Sequence, residues 1–194
     1  MDIFELAEHH QRTAWEVLEE TGIILAWESI GATVNLVGSL KTGLLMKRRN
    51  IDIHIYSQTL DISESFSVIQ NMAHKSIFKE ILYKNLINIK EERIEWHVKY
   101  EDKEHNIWDL DMIHIKKGSK YDGASERVTD SIIKQLTPDI RQTILQVKYD
   151  LPSDVSIPEI EIYHAVFDGE VKSYAQLEEW RKNNPLRSSM DWLP

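Results

Sequence analysis

The strict alternation of residues Ile51–Tyr56 constrains this chain more than any other feature of its sequence. Three isoleucines alternate there with Asp52, His54 and Tyr56. Because successive side chains of a β-strand point to opposite faces, the isoleucines would lie in a core and the other three residues on the opposite face. The pattern predicts a strand that is buried on one face and carries titratable groups on the other.

A short β-rich run, Thr33–Val37, precedes this strand. Between the two, Gly38 and Gly43 flank four residues, as the glycines of a P-loop do. A P-loop requires Lys and then Ser or Thr after the second glycine, whereas two leucines follow here. The spacing therefore excludes a P-loop and predicts a tight glycine turn that carries a hydroxyl group.

This glycine turn is a candidate binding site for phosphate groups. Backbone N–H groups at such a turn can bind phosphate oxygens, and glycine lets a ligand approach closely. Nearby basic side chains would neutralise phosphate charge. A Gly-Ser turn without further elements is also ordinary turn chemistry. The nucleotide-binding candidates are Gly38, Ser39, Lys41, Gly43 and Arg48.

The segment Trp108–Met112 places Asp109 and Asp111 two residues apart, on one face of a predicted strand. If the sheet brings this strand beside that of Asp52, three carboxylates converge. Such carboxylates repel one another unless a divalent cation lies between them, and Mg²⁺ prefers oxygen ligands. Asp52, Asp109 and Asp111 are therefore candidate metal ligands. The alternative is that Asp109 and Asp111 form the solvent face of an edge strand.

The clearest hairpin joins Arg93–Tyr100 to Ile107–Ile115 through a turn at Glu101–Asn106. If its loop has an odd number of residues, Glu95 and His97 share the face of the two aspartates. Glu95 could then be a general base for a substrate hydroxyl, and His97 a ligand or proton carrier. The alternative is an exposed cross-strand charge pair, which stabilises a sheet only modestly.

Helical spacing surrounds these strands. Thr13–Ile30 predicts a helix that Gly22 weakens or breaks, and Ser63 is the expected N-cap of a helix that reaches His74. Ile77–Tyr83 is ambiguous, and a strand is favoured there. Further helices are predicted to open at Thr137-Pro138, Pro158 and Ser173.

These elements predict an α/β (α+β) fold. Residues 1–118 would form a mixed β-sheet core flanked by helices. Residues 119–194 would form a C-terminal helical region packed on or beside that core, because the strand signal disappears after the loop Gly118–Gly123.

Composition narrows the choice of partners. The chain of 194 residues has a net charge of −9, which makes nucleic acid an unlikely partner because the phosphate backbone would be repelled. The absence of cysteine excludes disulfides and thiolate zinc sites. No segment approaches the roughly 20 apolar residues that span a bilayer, and the acidic N-terminus is unlike a secretory signal. We therefore expect a cytoplasmic protein with no membrane partner.

A hydrophobic strand, Gly-Ser, a later Gly, an acidic strand and a further acidic residue on a later strand resemble the nucleotidyltransferase fold superfamily. Its members include aminoglycoside, lincosamide and minimal nucleotidyltransferases. The matching residues, within Thr13–Ile115, are Val37-Gly38-Ser39, Gly43, Asp52 and Asp109 or Asp111. The resemblance implies a mixed-sheet core, magnesium-dependent transfer of a nucleotidyl group, and contact between Ser39 and a triphosphate.

His54 is a departure from the family pattern, which has a second aspartate at this position. Imidazole is a poor ligand for Mg²⁺ and suits Mn²⁺, zinc or iron better. In one account, Asp52, Asp109 and Asp111 supply enough oxygen ligands, and His54 is a base, orients a ligand or joins the metal site. In the other, a metal position is lost and the protein binds a nucleotide or partner without turnover.

We therefore expect an enzyme that transfers a nucleoside monophosphate from a nucleoside triphosphate to a hydroxyl of a small-molecule acceptor. Mg²⁺, or Mn²⁺ given His54, would be the cofactor. One alternative is a catalytically degenerate binding protein, such as a toxin–antitoxin or regulatory component. Another is a metal-dependent hydrolase that uses His54 and the aspartates on a phosphoester.

Overall fold

A computed structural model describes residues 2–74, 78–185 and 192–194. Its centre is a mixed five-stranded sheet in the order β1-β2-β5-β4-β3. The strands are β1 (Thr33–Val37), β2 (Asn50–Ser57), β3 (Phe78–Asn85), β4 (Arg93–Glu101) and β5 (Ile107–Lys116). This confirms the expected α/β class, the alternating strand, the hairpin and the strand at β3, although Ile77 lies outside the described residues.

Helices surround the sheet, and a single π-helical turn, Ile87–Glu91, joins β3 to β4. The helices are α1 (Ile3–Thr21), α2 (Ile23–Glu28), α3 (Gly38–Thr42), α4 (Ile62–Ala73), α5 (Ala124–Gln135), α6 (Pro138–Asp150), α7 (Glu159–Phe167) and α8 (Tyr174–Asn183).

Three sequence-based expectations need correction. The first helix begins at Ile3 rather than Thr13, because Asp2 and Glu5 form a capping box there. Asp61, not Ser63, caps α4, since its carboxylate accepts the Glu64 N–H at 3.0 Å. The predicted glycine turn is instead the short helix α3.

The hydrophobic pattern decides which face of the sheet is polar. The three isoleucines of β2 pack with α1, α2 and α4, where Trp27, Trp96 and Trp108 are also fully buried. Full burial of one isoleucine stabilises by about 1.5–3 kcal/mol. A one-residue slip of β2 would expose all three, so the register is strongly specified. Asp52 and its polar neighbours must then project from the opposite face.

The pairing of β2 with β5 is parallel, and that of β5 with β4 is antiparallel. The first register places Asp52 beside Asp111 and Asn50 beside Asp109. The second places His97 opposite Asp111. The polar face of three strands is thus assembled from one parallel and one antiparallel ladder.

The C-terminal helices share a second hydrophobic cluster with the N-terminal part of the chain. Ala7 of α1 and Leu44 and Met46 after α3 pack against Val128 of α5 and Leu145 of α6. A division at residue 118 stays a prediction. No helix in the described ranges is long and apolar enough to cross a membrane.

The hairpin loop is held by one buried carboxylate. Asp102 accepts hydrogen bonds from the backbone N–H groups of Glu104 and Asn106, at 2.9 and 2.8 Å, and from Trp108 Nε1 at 2.9 Å. The loop between β4 and β5 has five residues. That odd number sets the register that brings His97 to Asp111.

We expect Asp102→Ala to lower the free energy of unfolding by about 2–4 kcal/mol, because it leaves the buried Trp108 N–H and two loop N–H groups without their acceptor. Urea unfolding followed by tryptophan fluorescence measures this. The exposed neighbour Glu104 provides the control, since Glu104→Ala should change stability by no more than about 0.5 kcal/mol. Equal effects of the two substitutions would contradict the role given to Asp102.

Candidate active site

A cavity of about 370 Å³, here called the carboxylate cavity, opens on the polar face of the sheet. The rest of its wall comes from α3, α5 and the start of α7. Its charged and amide side chains are Arg48, Asn50, Asp52, His54, Asp111 and Glu159. The sheet, a glycine-containing helix and the C-terminal helices therefore meet at one place.

Asp52 and Asp111 are the two predicted carboxylates that the fold brings together here. Burial raises the pKa of Asp52 to about 7, and the negative charges of Glu159 and Asp111 add to the rise. The Asn50 amide and the Arg48 charge only partly oppose this. The cavity therefore holds more negative charge than its described cations balance.

Asn50 contributes a further oxygen. Its Nδ2 donates to Asp52 Oδ1 at 3.0 Å, while its own Oδ1 is buried and has no hydrogen-bond partner among the described residues. A buried acceptor without a partner is destabilising unless a ligand satisfies it. Sequence patterns did not single out Asn50, because an amide at the start of a strand is common.

Asp109 lies apart from this cavity. Its side chain is 42% exposed and forms an ion pair with Lys99 across the β4–β5 ladder at 3.1 Å. Although Asp109 and Asp111 share a sheet face, Asp109 is beside Asn50 rather than Asp52. The structure thus brings Asp111, and not Asp109, to the predicted centre.

The backbone of Gly38 packs against the Asp52 side chain. Its φ is +67°, and a Cβ atom built there would lie 2.5 Å from Asp52 Oδ2. Its N–H is directed to Thr129 Oγ1 of α5 at 3.4 Å. Glycine is therefore required at this position by both backbone conformation and space.

The other predicted nucleotide-binding residues are dispersed around α3. Arg48 lines the cavity, whereas Lys41 is exposed away from it and Gly43 terminates the helix. Ser39 is 1% exposed, and its Oγ has no hydrogen-bond partner within the described chain. Ser39 therefore lies beneath the cavity wall, beside Thr42, whose side chain does line it.

His54 is held by residues behind it. Its Nδ1 lies 3.3 Å from Tyr56 Oη and 3.7 Å from Glu126 Oε2. Burial would raise the pKa of Glu126, but hydrogen bonds from His54, Tyr56 and Asn35 lower it to about 2. Glu126 is thus an anion that orients the imidazole. The sequence spacing did not indicate Glu126, because α5 follows the last strand in the chain and only tertiary packing brings it to His54.

Glu95 and His97 do share the face of the aspartates. His97 Nδ1 lies 2.5 Å from Asp111 Oδ1, and its Nε2 lies 3.2 Å from Glu95 Oε2. Glu95 is buried and also paired with Arg93 at 2.9 Å and Lys84 at 3.2 Å. A chain of polar contacts therefore runs from Asp111 across β4.

Glu159 and Tyr163 of α7 complete the wall, and the buried Lys148 of α6 pairs with Glu159. Lys148 Nζ donates to Glu159 Oε1 at 2.6 Å and to the Leu44 carbonyl at 2.7 Å, and Tyr163 Oη donates to Glu159 Oε2 at 2.9 Å. One sequence feature indicates that Lys148 is unusual. Lys148 follows Ile144 by four residues and so interrupts the apolar stripe of α6.

No group of three or more His, Asp or Glu side chains in the described residues is arranged to hold a metal ion. Mg²⁺ requires fewer protein ligands, since it binds through one or two carboxylates and keeps several waters. Asp52, Asp111 and the free oxygen of Asn50 are all hard oxygen donors. The residues present therefore fit Mg²⁺ chemically.

Neither a protein-family model nor a curated protein sequence matches this chain. Solved structures do match it. A chain of the GLD-2–GLD-3 poly(A) polymerase complex gives a TM-score of 0.56 at 11% identity, over 96% of this chain and 65% of that one. The Cid1 poly(U) polymerase with bound MgGTP gives 0.53 at 14% identity, over 76% and 46%. A second Cid1 structure gives 0.54 at 13% identity, over 84% and 50%.

The chain therefore has the nucleotidyltransferase fold, as the resemblance implied. It spans 46–65% of the length of these structures. At 11–14% identity the similarity shows the fold alone.

We expect Gly38→Ala to destabilise the protein more than Gly43→Ala. Both glycines have φ near +70°, so alanine at either position adds about 1–2 kcal/mol of left-handed strain. A Cβ at Gly43 would meet nothing within 4 Å, whereas one at Gly38 would clash with Asp52. Urea unfolding of the two variants isolates the clash, expected at about 1–3 kcal/mol. Equal losses of unfolding free energy in the two variants would show that the Asp52 side chain can move away from a Cβ at position 38 without destabilising the protein.

We expect the stability of the metal-free protein to depend on pH through Asp52. The pKa of the Asp52 carboxyl is 3.8 in the unfolded chain and about 7 in the folded protein. The folded state therefore loses stability as the pH rises from 3.8 to about 7, because the buried carboxyl must ionise. Asp52→Asn removes this loss. Between about pH 4 and pH 8 the variant should gain about 2–4 kcal/mol relative to wild type.

Urea unfolding in EDTA across this pH range measures the difference. Asp109→Asn, an exposed aspartate in the neighbouring strand, is the control and should show no such gain. A difference between Asp52→Asn and wild type that is constant with pH would contradict the raised pKa.

Proposed function

We propose that this protein is a metal-dependent nucleotidyltransferase that transfers a nucleoside monophosphate from a nucleoside triphosphate to a hydroxyl of a small molecule. The observation that carries the proposal is the adjacency of Asp52 and Asp111 on paired strands, in a cavity bordered by Gly38. The nucleotidyltransferase fold supports it.

Asp52, Asp111 and Asn50 would hold the divalent ion. Two observations support this. Burial, followed by the negative charges of Glu159 and Asp111, raises the pKa of Asp52. Asn50 Oδ1 has no hydrogen-bond partner among the described residues. When bound, Mg²⁺ would neutralise phosphate charge and stabilise the leaving pyrophosphate. These three ligands are oxygen donors, which suit Mg²⁺.

His54 would be the base for the acceptor hydroxyl. Its Nδ1 faces Tyr56 and Glu126, so Nε2 is the nitrogen that would accept a proton. In the transfer, the acceptor oxygen bonds to the α-phosphorus, the bond to pyrophosphate breaks, and the hydroxyl proton passes to His54. Glu126, already ionised, would stabilise the imidazolium that forms.

The acceptor would bind in a second cavity, of about 460 Å³, which shares His54 and Ser125 with the carboxylate cavity. Arg93, Glu95 and Tyr121 also line this acceptor cavity. Burial would raise the pKa of Glu95, but His97, Lys84 and Arg93 lower it below its usual value. Glu95 is therefore better suited to accept hydrogen bonds from the acceptor than to take its proton.

A second candidate acceptor is the 3′-hydroxyl of RNA. The matching structures are described as a poly(U) polymerase and a poly(A) polymerase complex, which favours this reading. The net charge of −9 opposes it, because a polynucleotide would be repelled outside the site. Pyrophosphate release with a short RNA, compared with a panel of hydroxylated small molecules, distinguishes the two acceptors.

We expect nucleoside triphosphates to bind in the presence of Mg²⁺, and Asp52→Asn or Asp111→Asn to weaken binding by about tenfold or more, because each removes a charged ligand. Isothermal titration calorimetry with each nucleoside triphosphate, with and without Mg²⁺, measures this. Asp109→Asn should bind as wild type does. Nucleotide binding that is unchanged when Mg²⁺ is omitted and when Asp52 is replaced by Asn would instead support a catalytically degenerate binding protein.

A further inference from the structure

Glu159 lies on the wall between two cavities. One is the carboxylate cavity, and the other, of about 350 Å³, is lined by Lys47, Arg48, Lys148 and the loop after α6. Arg48 and Glu159 line both. The Glu159 side chain is 21% exposed, so it is accessible at this wall although its carboxylate is bonded on both oxygens.

The groups around the Glu159 carboxylate are those that would bind a phosphate group. Lys148 supplies an ammonium at 2.6 Å and Tyr163 a phenol at 2.9 Å, on opposite carboxylate oxygens. Ser39 Oγ has no hydrogen-bond partner within the described ranges, yet it lies near enough to help lower the pKa of Glu159. A charged donor, a neutral donor and a spare hydroxyl thus surround one internal anion.

The same carboxylate opposes the approach of an external anion. Glu159 lines the same cavity as the proposed metal ligands Asp52 and Asp111. Its charge is second only to burial in raising the pKa of Asp52. Burial would raise the pKa of Glu159 itself, but the Lys148 charge and the hydrogen bonds from Lys148 and Tyr163 keep it below its usual value. Glu159 therefore remains ionised where a polyphosphate would have to lie.

We propose that Glu159 is an internal substitute for a phosphate group and sets the affinity of the site for nucleotides. A ligand must displace the carboxylate from Lys148 and Tyr163 before its own phosphate can take their hydrogen bonds. The assignment of this ligand as a nucleotide rests on the proposed function. The competition between carboxylate and phosphate rests on the contacts of Glu159 alone.

Calorimetry with inorganic tripolyphosphate in EDTA tests the competition without a metal or a nucleoside. We expect Glu159→Gln to bind tripolyphosphate at least about tenfold more tightly than wild type, because the competing charge is gone while Lys148 remains. Glu161→Gln is the matched control. It removes the same charge two residues along α7, where Glu161 pairs with Arg181 at 2.5 Å, and should bind within about twofold of wild type.

Stability is measured in parallel, because removing one partner of a buried ion pair is destabilising. Tripolyphosphate should raise the melting temperature of Glu159→Gln more than that of wild type or Glu161→Gln, since the anion restores a partner to Lys148. Glu159→Asp keeps the charge but shortens its reach. It should bind with intermediate affinity, and it provides the test if Glu159→Gln does not fold.

Equal affinity for tripolyphosphate in wild type, Glu159→Gln and Glu159→Asp would overturn this inference. A gain in Glu161→Gln as large as that in Glu159→Gln would also overturn it, because net charge would then explain the effect. Metal-dependent nucleotide binding to wild type without any gain in Glu159→Gln would leave the proposed function standing. A gain in tripolyphosphate binding by Glu159→Gln, without metal-dependent nucleotide binding to wild type, would support the role of Glu159 and contradict the proposed function.

Discussion

The parallel pairing of β2 with β5 is the constraint on which the rest of the site depends. It places Asp52 directly beside Asp111, so that two carboxylates share one partly buried wall. Neither strand could shift by one residue without turning its apolar side chains out of the core. The burial of the isoleucines on one face therefore fixes the repulsion between carboxylates on the other. A stable core and an unfavourable charge cluster are two results of the same register.

Most acidic groups on this face are compensated locally, and Asp52 is the exception. Asp109 pairs with Lys99, and Glu95 with Arg93 and Lys84. Asp52 forms no salt bridge in the described part of the chain, and its pKa is raised first by burial and then by the charges of Glu159 and Asp111. Negative charge left without a nearby cation is a common property of sites that bind metal ions. The polar face thus combines structural ion pairs with a carboxylate, Asp52, that has no such partner within the described residues.

The sequence predicted what depends on short-range periodicity. Alternation identified β2 and the hairpin. The turn predicted at Glu101–Asn106 has six residues, whereas the loop in the structure has five, and this odd number is what brings His97 to the face of Asp111. The choice between Asp109 and Asp111 depended on the register of two strands distant in sequence, which periodicity does not contain. Glu126 and Glu159 were missed for the same reason, since helices that follow the sheet bring them to it. Tertiary packing, not local pattern, therefore positions Glu126 and Glu159 at this site.

The contact between Gly38 and Asp52 couples two positions that lie fourteen residues apart. Because only a hydrogen atom fits between the backbone at 38 and the carboxylate at 52, position 38 cannot change freely while Asp52 is retained. Among descendants of this sequence, a larger residue at 38 should be accepted only after the side chain at 52 has become smaller. Loss of Asp52 would therefore precede loss of Gly38, and a relative that has lost both would have lost the site rather than the fold.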